Sequence, residues 1–225
     1  MRNRSFWLMP ALAALFACSD DSVAPNPTVD GGRLQVVPAV AALPFVDVVV
    51  DGEVRMTNVA YGSPSTPLAL PVGQHLIRIV APGTGASAGG TAVSLAANDT
   101  TRVVVTGTPT ALNPVALGDT GATPVPGKGK LRVSHLAPNA PPIDVYRSQP
   151  DFPAFTKLMF PFPYHASSTF VESDPGNWII RVTREGTSEI LAESAPIRVD
   201  ALWVRTILLL DAPNGGIRIV PLGEE

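Results

Sequence analysis

Short segments with a strand-like pattern of bulky and polar residues recur along most of the chain. Residues 76–80 and 102–106 are rich in β-branched side chains and are bounded by turn-forming residues, which is typical of strands. Across residues 177–182 every second position is bulky and apolar, so one face of the predicted strand is buried. Residues 203–210 are apolar with little alternation, which predicts a long strand in the middle of a sheet.

Turn signals separate these segments at intervals of about 8–12 residues, the spacing of a β-sandwich. The chain contains 24 prolines and 19 glycines in 225 residues, and both residue types interrupt helices. Residues 71–73 and 174–176 are examples of predicted turns. The pattern therefore predicts an all-β protein built of antiparallel sandwiches, with no helix.

The chain contains an internal repeat. Residues 34–36 and 44–48 match 131–133 and 141–145 at an offset of 97, and residues 77–79 match 180–182 at an offset of 103. The order of the matches is preserved and the offset changes only where loops are expected, so two tandem domains are predicted. The predicted limits are 34–118 and 131–225, with a Gly/Pro-rich linker over 119–130 whose length suggests some freedom between them.

The N-terminus has the features of an export signal. Arg2 and Arg4 precede a twelve-residue apolar run over 6–17, which is too short to span a membrane and has the length of a signal-peptide core. The run ends at Cys18, the only cysteine of the chain. The residues around it resemble a bacterial lipobox, which predicts a signal peptide over 1–17 and lipidation of Cys18. An ordinary cleaved signal peptide with an incidental cysteine is the alternative.

Residues 18–33 lack apolar periodicity and contain prolines and glycines, so we expect a flexible tether between the lipid and the folded part. By its resemblance to lipoprotein sorting signals, Ser19 after Cys18 favours the outer membrane. The expected location is the bacterial cell envelope, anchored to the membrane through lipidated Cys18, on the surface or on the periplasmic side.

Charge and composition narrow the function. The chain has 16 basic and 19 acidic residues, a net charge of −3, which excludes a general electrostatic binder of nucleic acid. A single cysteine excludes a disulfide framework and a multi-cysteine metal site. We expect no cofactor and no metal, and the sequence carries no signal for an oligomeric state.

The most specific motif is residues 131–146, LRVSHLAPNAPPIDVY. It resembles the opening of domain of unknown function 4397, a family of secreted bacterial proteins and lipoproteins that often occurs in tandem. Residues 73–79 and 176–182 resemble a second element of that family, and residues 44–52 keep part of the opening. The resemblance implies two tandem immunoglobulin-like antiparallel β-sandwich domains after the signal peptide and tether. It implies secretion and no reaction.

Within this motif, His135, Asp144 and Tyr146 form a candidate binding patch, because the prolines between them allow the chain to fold back. A structural role competes with that hypothesis: a histidine at a strand end can bond backbone groups of a proline-rich loop, and an aspartate can cap the same turn. We favour the structural role and assign no catalytic residue.

The predicted function is a non-catalytic binding or structural module that displays its domains to envelope proteins or glycans. One alternative is an envelope hydrolase that uses His135 and Asp144. Another is an accessory subunit that binds a partner's strand at a sheet edge, which an unpaired edge strand without charges or proline would favour.

Overall fold

A computed structural model describes residues 31–82, 87–118, 123–150, 154–159 and 161–223. The predicted signal peptide, Cys18 and nearly all of the predicted tether lie outside the described residues. The described residues form seventeen strands and no helix, so none of them forms a helix that could cross a membrane.

The first eight strands build one sandwich of two four-stranded sheets, ordered β4-β1-β7-β8 and β3-β2-β5-β6. Its strands are β1 (Gly32–Pro38), β2 (Phe45–Val50), β3 (Glu53–Ala60), β4 (Leu68–Leu70), β5 (Gly73–Val80), β6 (Ser87–Leu95), β7 (Thr100–Thr108) and β8 (Ala111–Leu117).

The remaining nine strands build a second sandwich with the same order, β12-β9-β16-β17 and β11-β10-β13-β14, with the short β15 also paired to β13. Its strands are β9 (Gly129–His135), β10 (Ile143–Ser148), β11 (Thr156–Met159), β12 (Val171–Ser173), β13 (Gly176–Arg184), β14 (Ile190–Glu193), β15 (Ile197–Val199), β16 (Val204–Asp211) and β17 (Ile217–Gly223). The prediction of an all-β chain of two tandem sandwiches is confirmed.

The sheets are not purely antiparallel, however. In the first sandwich β1 pairs with β7 in parallel, and in the second β9 pairs with β16 in parallel. Parallel neighbours need a long crossover between them, and here the chain enters the other sheet twice, before and after β4 or β12, and only then forms β7 or β16. Alternation of side chains cannot distinguish the two directions, which is why the sequence did not predict the parallel pairs.

Each sandwich has its own apolar core. Val36, Val48 and Ile77 belong to the first core, and Val133 and Ile180 belong to the second. These side chains alternate with residues of the opposite face, as the strand pattern predicts. The repeat therefore reflects two cores built in the same way.

A third apolar cluster joins the two sandwiches, and we call it the interdomain cluster. It consists of nine buried residues: Val37, Ala39, Val104 and Leu117 from the first sandwich and Leu136, Leu208, Leu210, Val220 and Leu222 from the second. Ala39 and Leu136 directly follow β1 and β9, and the other seven residues lie on the faces of β1, β7, β8, β16 and β17 that point away from each sandwich's own core. The expectation that the linker leaves the two sandwiches some freedom of movement is therefore wrong, because these side chains bury one sandwich against the other.

Polar contacts accompany the interdomain cluster. The Tyr61 hydroxyl of the first sandwich donates a hydrogen bond to the Asp211 carbonyl oxygen of the second. The Arg218 guanidinium lies 5.4 Å from the centre of the Tyr61 ring. Arg132 Nη1 donates to the Gly118 carbonyl oxygen at 2.9 Å, which holds the end of the first repeat to the second sandwich.

Truncation of the interdomain cluster tests this packing. Leu210→Ala is expected to lower the free energy of unfolding by roughly 2–5 kcal/mol, because it removes buried methyl groups and leaves a cavity. The measurement is urea unfolding of the protein. Leu202→Ala is the matched control, since Leu202 is 64% exposed, and it should change stability by less than about 0.5 kcal/mol. Equal effects of the two variants would contradict the packing of the sandwiches against each other.

Candidate functional site

His135 ends β9 and is 2% exposed. Its ring is nearly parallel to the Phe162 ring at 6.0 Å between centres, and the Tyr164 ring meets it edge-on at 6.1 Å. Its backbone N–H donates to the Ala166 carbonyl oxygen, and its carbonyl accepts from the His165 N–H, each at 2.8 Å. The imidazole is thus packed into the loop that follows β11.

The His135 side chain is a neutral hydrogen-bond acceptor. Burial, with a smaller contribution from the neighbouring charge of His165, lowers the pKa of His135 from 6.5 to about 4. The Ala137 N–H donates a long bond of 3.4 Å to His135 Nδ1, so the ring proton is assigned to Nε2. This is the kind of backbone contact that the structural role of His135 requires.

Asp144 lies on β10 between two core residues, so its side chain points to the outer face of the sheet. It is nevertheless buried, since Lys157 Nζ lies 2.9 Å from Oδ2 and the Gly186 N–H donates to the same oxygen at 3.1 Å. Burial alone would raise the pKa of Asp144. The hydrogen bonds from Lys157 and Gly186, with the charge of Lys157, outweigh it and hold that pKa below its usual value.

Tyr146 lies two residues further along the same face and is half-buried. Lys157 Nζ lies 5.5 Å from the centre of its ring. Asp144, Tyr146 and Lys157 therefore form one small polar group on the outer face of the second sandwich.

His135 does not belong to that group. It lines a shallow depression of about 330 Å³ together with Pro141, Phe162 and Tyr164, and Asp144 is not among the lining residues. The structure thus brings two of the three predicted patch residues together and places the third elsewhere. Lys157, which the sequence reasoning missed, had one signal: it is the only one of three lysines outside the linker.

A second histidine occupies an informative position, His75 on β5. Its Nε2 lies 2.9 Å from the Pro71 carbonyl oxygen, and its Nδ1 lies 2.6 Å from Asp51 Oδ2. In the second sandwich, Trp178 Nε1 donates at 3.0 Å to the carbonyl oxygen of Asp174. Residues 71 and 174 are related by the same offset of 103 as His75 and Trp178, so the two repeats keep one hydrogen bond with different rings.

Acceptors on both ring nitrogens stabilise the protonated form of His75. The Asp51 carboxylate, followed by the Pro71 carbonyl, raises the pKa of His75 above 6.5. In return the hydrogen bond with His75 lowers the pKa of Asp51, with help from the Leu76 N–H at 2.8 Å. Since Asp51 belongs to the turn between β2 and β3, this pair ties that turn to β5.

A larger concavity of about 530 Å³ lies between the two sandwiches. Arg102 and Gln35 of the first sandwich and Arg198 and Arg205 of the second line it. These arginines donate to acceptors of the protein itself: Arg102 to Gln35 Oε1 at 3.1 Å and Arg205 to the Arg198 carbonyl oxygen at 3.1 Å. Within the described residues, no three His, Cys, Asp or Glu side chains are grouped so that they could hold a metal ion.

The fold and the motifs define a tandem β-sandwich protein, and comparison with known families gives the family. The chain belongs to the family described as "Domain of unknown function (DUF4397)", whose model matches residues 32–146. That range begins with β1 and ends within β10, so it includes the motif over 131–146. The resemblance expected from the sequence is confirmed.

The chain was also compared with curated proteins and with solved structures. No curated protein matches the chain. A solved structure described as "a putative adhesin from Bacteroides ovatus" is similar at 9% identity and a TM-score of 0.24, covering 87% of this chain and 95% of that chain. A similarity at that TM-score carries no argument about function.

The neutral state of His135 predicts a loss of stability in acid. The unfolded pKa is about 6.5 and the folded one about 4, so below pH 6.5 the unfolded chain binds a proton that the folded protein excludes. Stability should fall between pH 6.5 and pH 4 by at most about 3 kcal/mol from this residue. Thermal unfolding of wild type and His135→Phe across this range measures the difference. Parallel pH profiles would contradict the buried neutral histidine.

The His75–Asp51 pair predicts the opposite pH dependence. The folded pKa of His75 is raised, so its contribution is complete below pH 6.5 and is lost as the pH rises through the folded value. The contribution of Asp51 is present above about pH 3.8 and is lost in acid. His75→Trp, which installs the residue of the second repeat, should unfold at a temperature that does not fall between pH 6 and pH 9. Wild type should lose thermal stability over that interval, and a flat wild-type profile would refute the pair.

Proposed function

We propose that this protein is a lipid-anchored, non-catalytic binding or structural module of the bacterial cell envelope. It would present its sandwiches to envelope proteins or glycans while lipidated Cys18 holds it on the membrane. The basic N-terminus, the twelve-residue apolar run and the single cysteine at its end support the anchor.

The observation that carries the non-catalytic assignment is the separation of His135 from Asp144. A general base must lie within hydrogen-bond reach of the group it activates and must be oriented by a partner. Here Asp144 forms an ion pair with Lys157 and His135 packs between Phe162 and Tyr164. The hydrolase alternative needs these two side chains in one cleft, so the geometry favours the binding module.

Residues of the motif over 131–146 have structural roles in the second sandwich. Leu131 and Val133 enter the core of the second sandwich, and Leu136 enters the interdomain cluster. Its polar members His135 and Asp144 each hold a loop in place. Because the interdomain cluster covers one sheet of each sandwich, the surfaces left for partners are the outer sheets, their edges and the loops.

The anchor is tested by fractionation of bacteria that produce the full chain. Cys18→Ser should move the protein from the membrane fraction to the soluble envelope fraction, because the thiol is the acceptor of the lipid. Ser19→Ala is the control variant, since it keeps the thiol and should stay on the membrane. A Cys18→Ser protein that remains with the membrane would contradict the lipid anchor.

Proteinase treatment of intact cells then separates the two possible faces of the membrane. Digestion while periplasmic proteins survive would favour display on the surface and direct the search to glycans and other cells. Protection until the outer membrane is opened would favour the periplasm and a partner among envelope proteins. If this chain were digested only under conditions that also digest a cytoplasmic control protein, its location in the envelope would be contradicted.

A further inference from the structure

The edge strands of the four sheets differ in how well they are protected against pairing with another strand. Natural edges are kept single by shortness, by charged residues or by proline. Among the described strands, β4 and β12 have three residues, and the other protected edges carry Glu53 and Arg55 (β3), Pro114 (β8), Lys157 (β11), Glu193 (β14) and Arg218 with Pro221 (β17). Strand β6 is the exception: its nine residues, SAGGTAVSL, contain neither a charge nor a proline.

The second repeat provides an internal comparison for β6. Gly73 pairs with Leu95 at the end of β6, and the equivalent Gly176 pairs with Val199 at the end of β15. The segment equivalent to β6 is thus divided into β14 and β15, and Pro196 occupies the position of Ala92. The second repeat has interrupted this edge, and the first repeat has kept it continuous.

The backbone groups in the middle of β6 point away from the sheet. Ala92 lies opposite Leu76 of β5. Leu76 uses both of its backbone groups on the other side, where its N–H donates to Asp51 Oδ1 at 2.8 Å and its carbonyl accepts from the Asp51 N–H at 3.0 Å. The pair is therefore of the non-hydrogen-bonded type, and Ala92 directs its N–H and C=O outward.

By the two-residue period of a strand, Gly90 and Ser94 have the same outward orientation as Ala92. All three residues are exposed. The Ala92 carbonyl accepts a long bond of 3.4 Å from the Thr91 hydroxyl within β6, which leaves its second lone pair available. Nearer the start of β6, Gly89 approaches Leu112 of β8 so closely that a Cβ would lie 2.6 Å from its carbonyl oxygen. The accessible edge is therefore residues 90–94.

We propose that this edge binds the same edge of a second copy of the chain, forming a two-fold symmetric dimer with one continuous eight-stranded sheet. Antiparallel pairing centred on Ala92 places Ala92 opposite Ala92 and Gly90 opposite Ser94 of the second copy. Every outward N–H then meets an outward carbonyl, since three residues on each side are arranged symmetrically about the centre. The outward backbone groups of this edge are thus complementary to those of an identical strand.

The side chains beside this edge fit a second copy. Leu76, which is 53% exposed, lies next to Ala92, so pairing creates a continuous apolar row of Leu76 and Ala92 from both copies. The neighbouring row brings Gln74 and Ser94 of one copy beside Gly90 and Arg78 of the other. No like charges face each other across the edge. The inference also draws on the proposed anchor, because copies held on one membrane meet at a high effective concentration.

A single cysteine substitution tests the pairing in the full-length protein in its bacterial envelope. With Ala92→Cys, the two Cα atoms across the symmetry axis would be about 5.5 Å apart, a distance that a disulfide spans. Ser94→Cys is the matched control, since the two copies of residue 94 would be about 14 Å apart. After oxidation with copper phenanthroline, Ala92→Cys should give about tenfold more disulfide dimer than Ser94→Cys because only the former pair is within disulfide range. Wild type reports any background from Cys18.

The outcomes are distinct. Equal dimer from the two variants, or a crosslink of Ala92→Cys to a different protein, overturns pairing with a second copy. The second of those outcomes would instead favour a foreign strand as the occupant. A Cys18→Ser protein that stays on the membrane contradicts the anchor alone, because the crosslink measures the distance between copies directly.

A second measurement avoids the cysteine. Ala92→Lys places two like charges against each other at the symmetry axis, while its side chain stays on an exposed face of β6. The wild-type protein extracted in mild detergent should be a dimer by light scattering, and Ala92→Lys should be a monomer that keeps the β-sheet circular-dichroism spectrum of the wild type. Val54→Lys, an exposed position on β3 at the opposite edge of the same sheet, should remain a dimer. A wild-type monomer, or a dimeric Ala92→Lys protein, would overturn the proposal.

Discussion

The interdomain cluster is the contact on which the arrangement of this protein depends. Strands β7 and β16 send one set of side chains into their own cores and the alternate set, Val104, Leu208 and Leu210, into the space between the sandwiches. A sheet with both faces buried needs near-continuous apolar strands, and these two strands have them. The two repeats together form four sheet layers, and the interdomain cluster shields the inner two layers from solvent. Facing sheets of this kind pack about 10 Å apart.

This packing determines which surfaces remain for function. The inner sheets are covered, so within the described part of the chain the surfaces open to partners are the outer sheets, the edges, the loops and the arginine-lined concavity between the sandwiches. It also explains the surroundings of His135. Leu136 beside it enters the interdomain cluster, and His165 Nε2 of the same loop lies 3.5 Å from the Thr106 hydroxyl of the first sandwich. The most specific motif of the sequence thus lies where the second core and the interface meet.

Equivalent positions of the two repeats carry different residues, and these differences distinguish the surfaces of the two sandwiches. The shared hydrogen bond to residue 71 or 174 comes from a titratable ring in the first repeat and from an indole in the second. The edge at β6 is continuous, whereas Pro196 interrupts its counterpart between β14 and β15. One repeat therefore keeps an edge capable of pairing, while the other carries the Asp144–Lys157 pair on its outer sheet.

The sequence by itself determined the strands, the turns and the duplication, because alternation, β-branched residues and offsets of 97 and 103 are local or pairwise properties of the chain. It also indicated that residues 203–210 lie in the middle of a sheet. It could not state that Leu208 and Leu210 of this segment face another domain, because an apolar residue has the same pattern against its own core or a neighbour's. Only the tertiary structure decided the parallel pairs, the separation of His135 from Asp144 and the partner Lys157. Each depends on which distant segments meet, and that is set by the packing of whole sheets rather than by the spacing of residues along the chain.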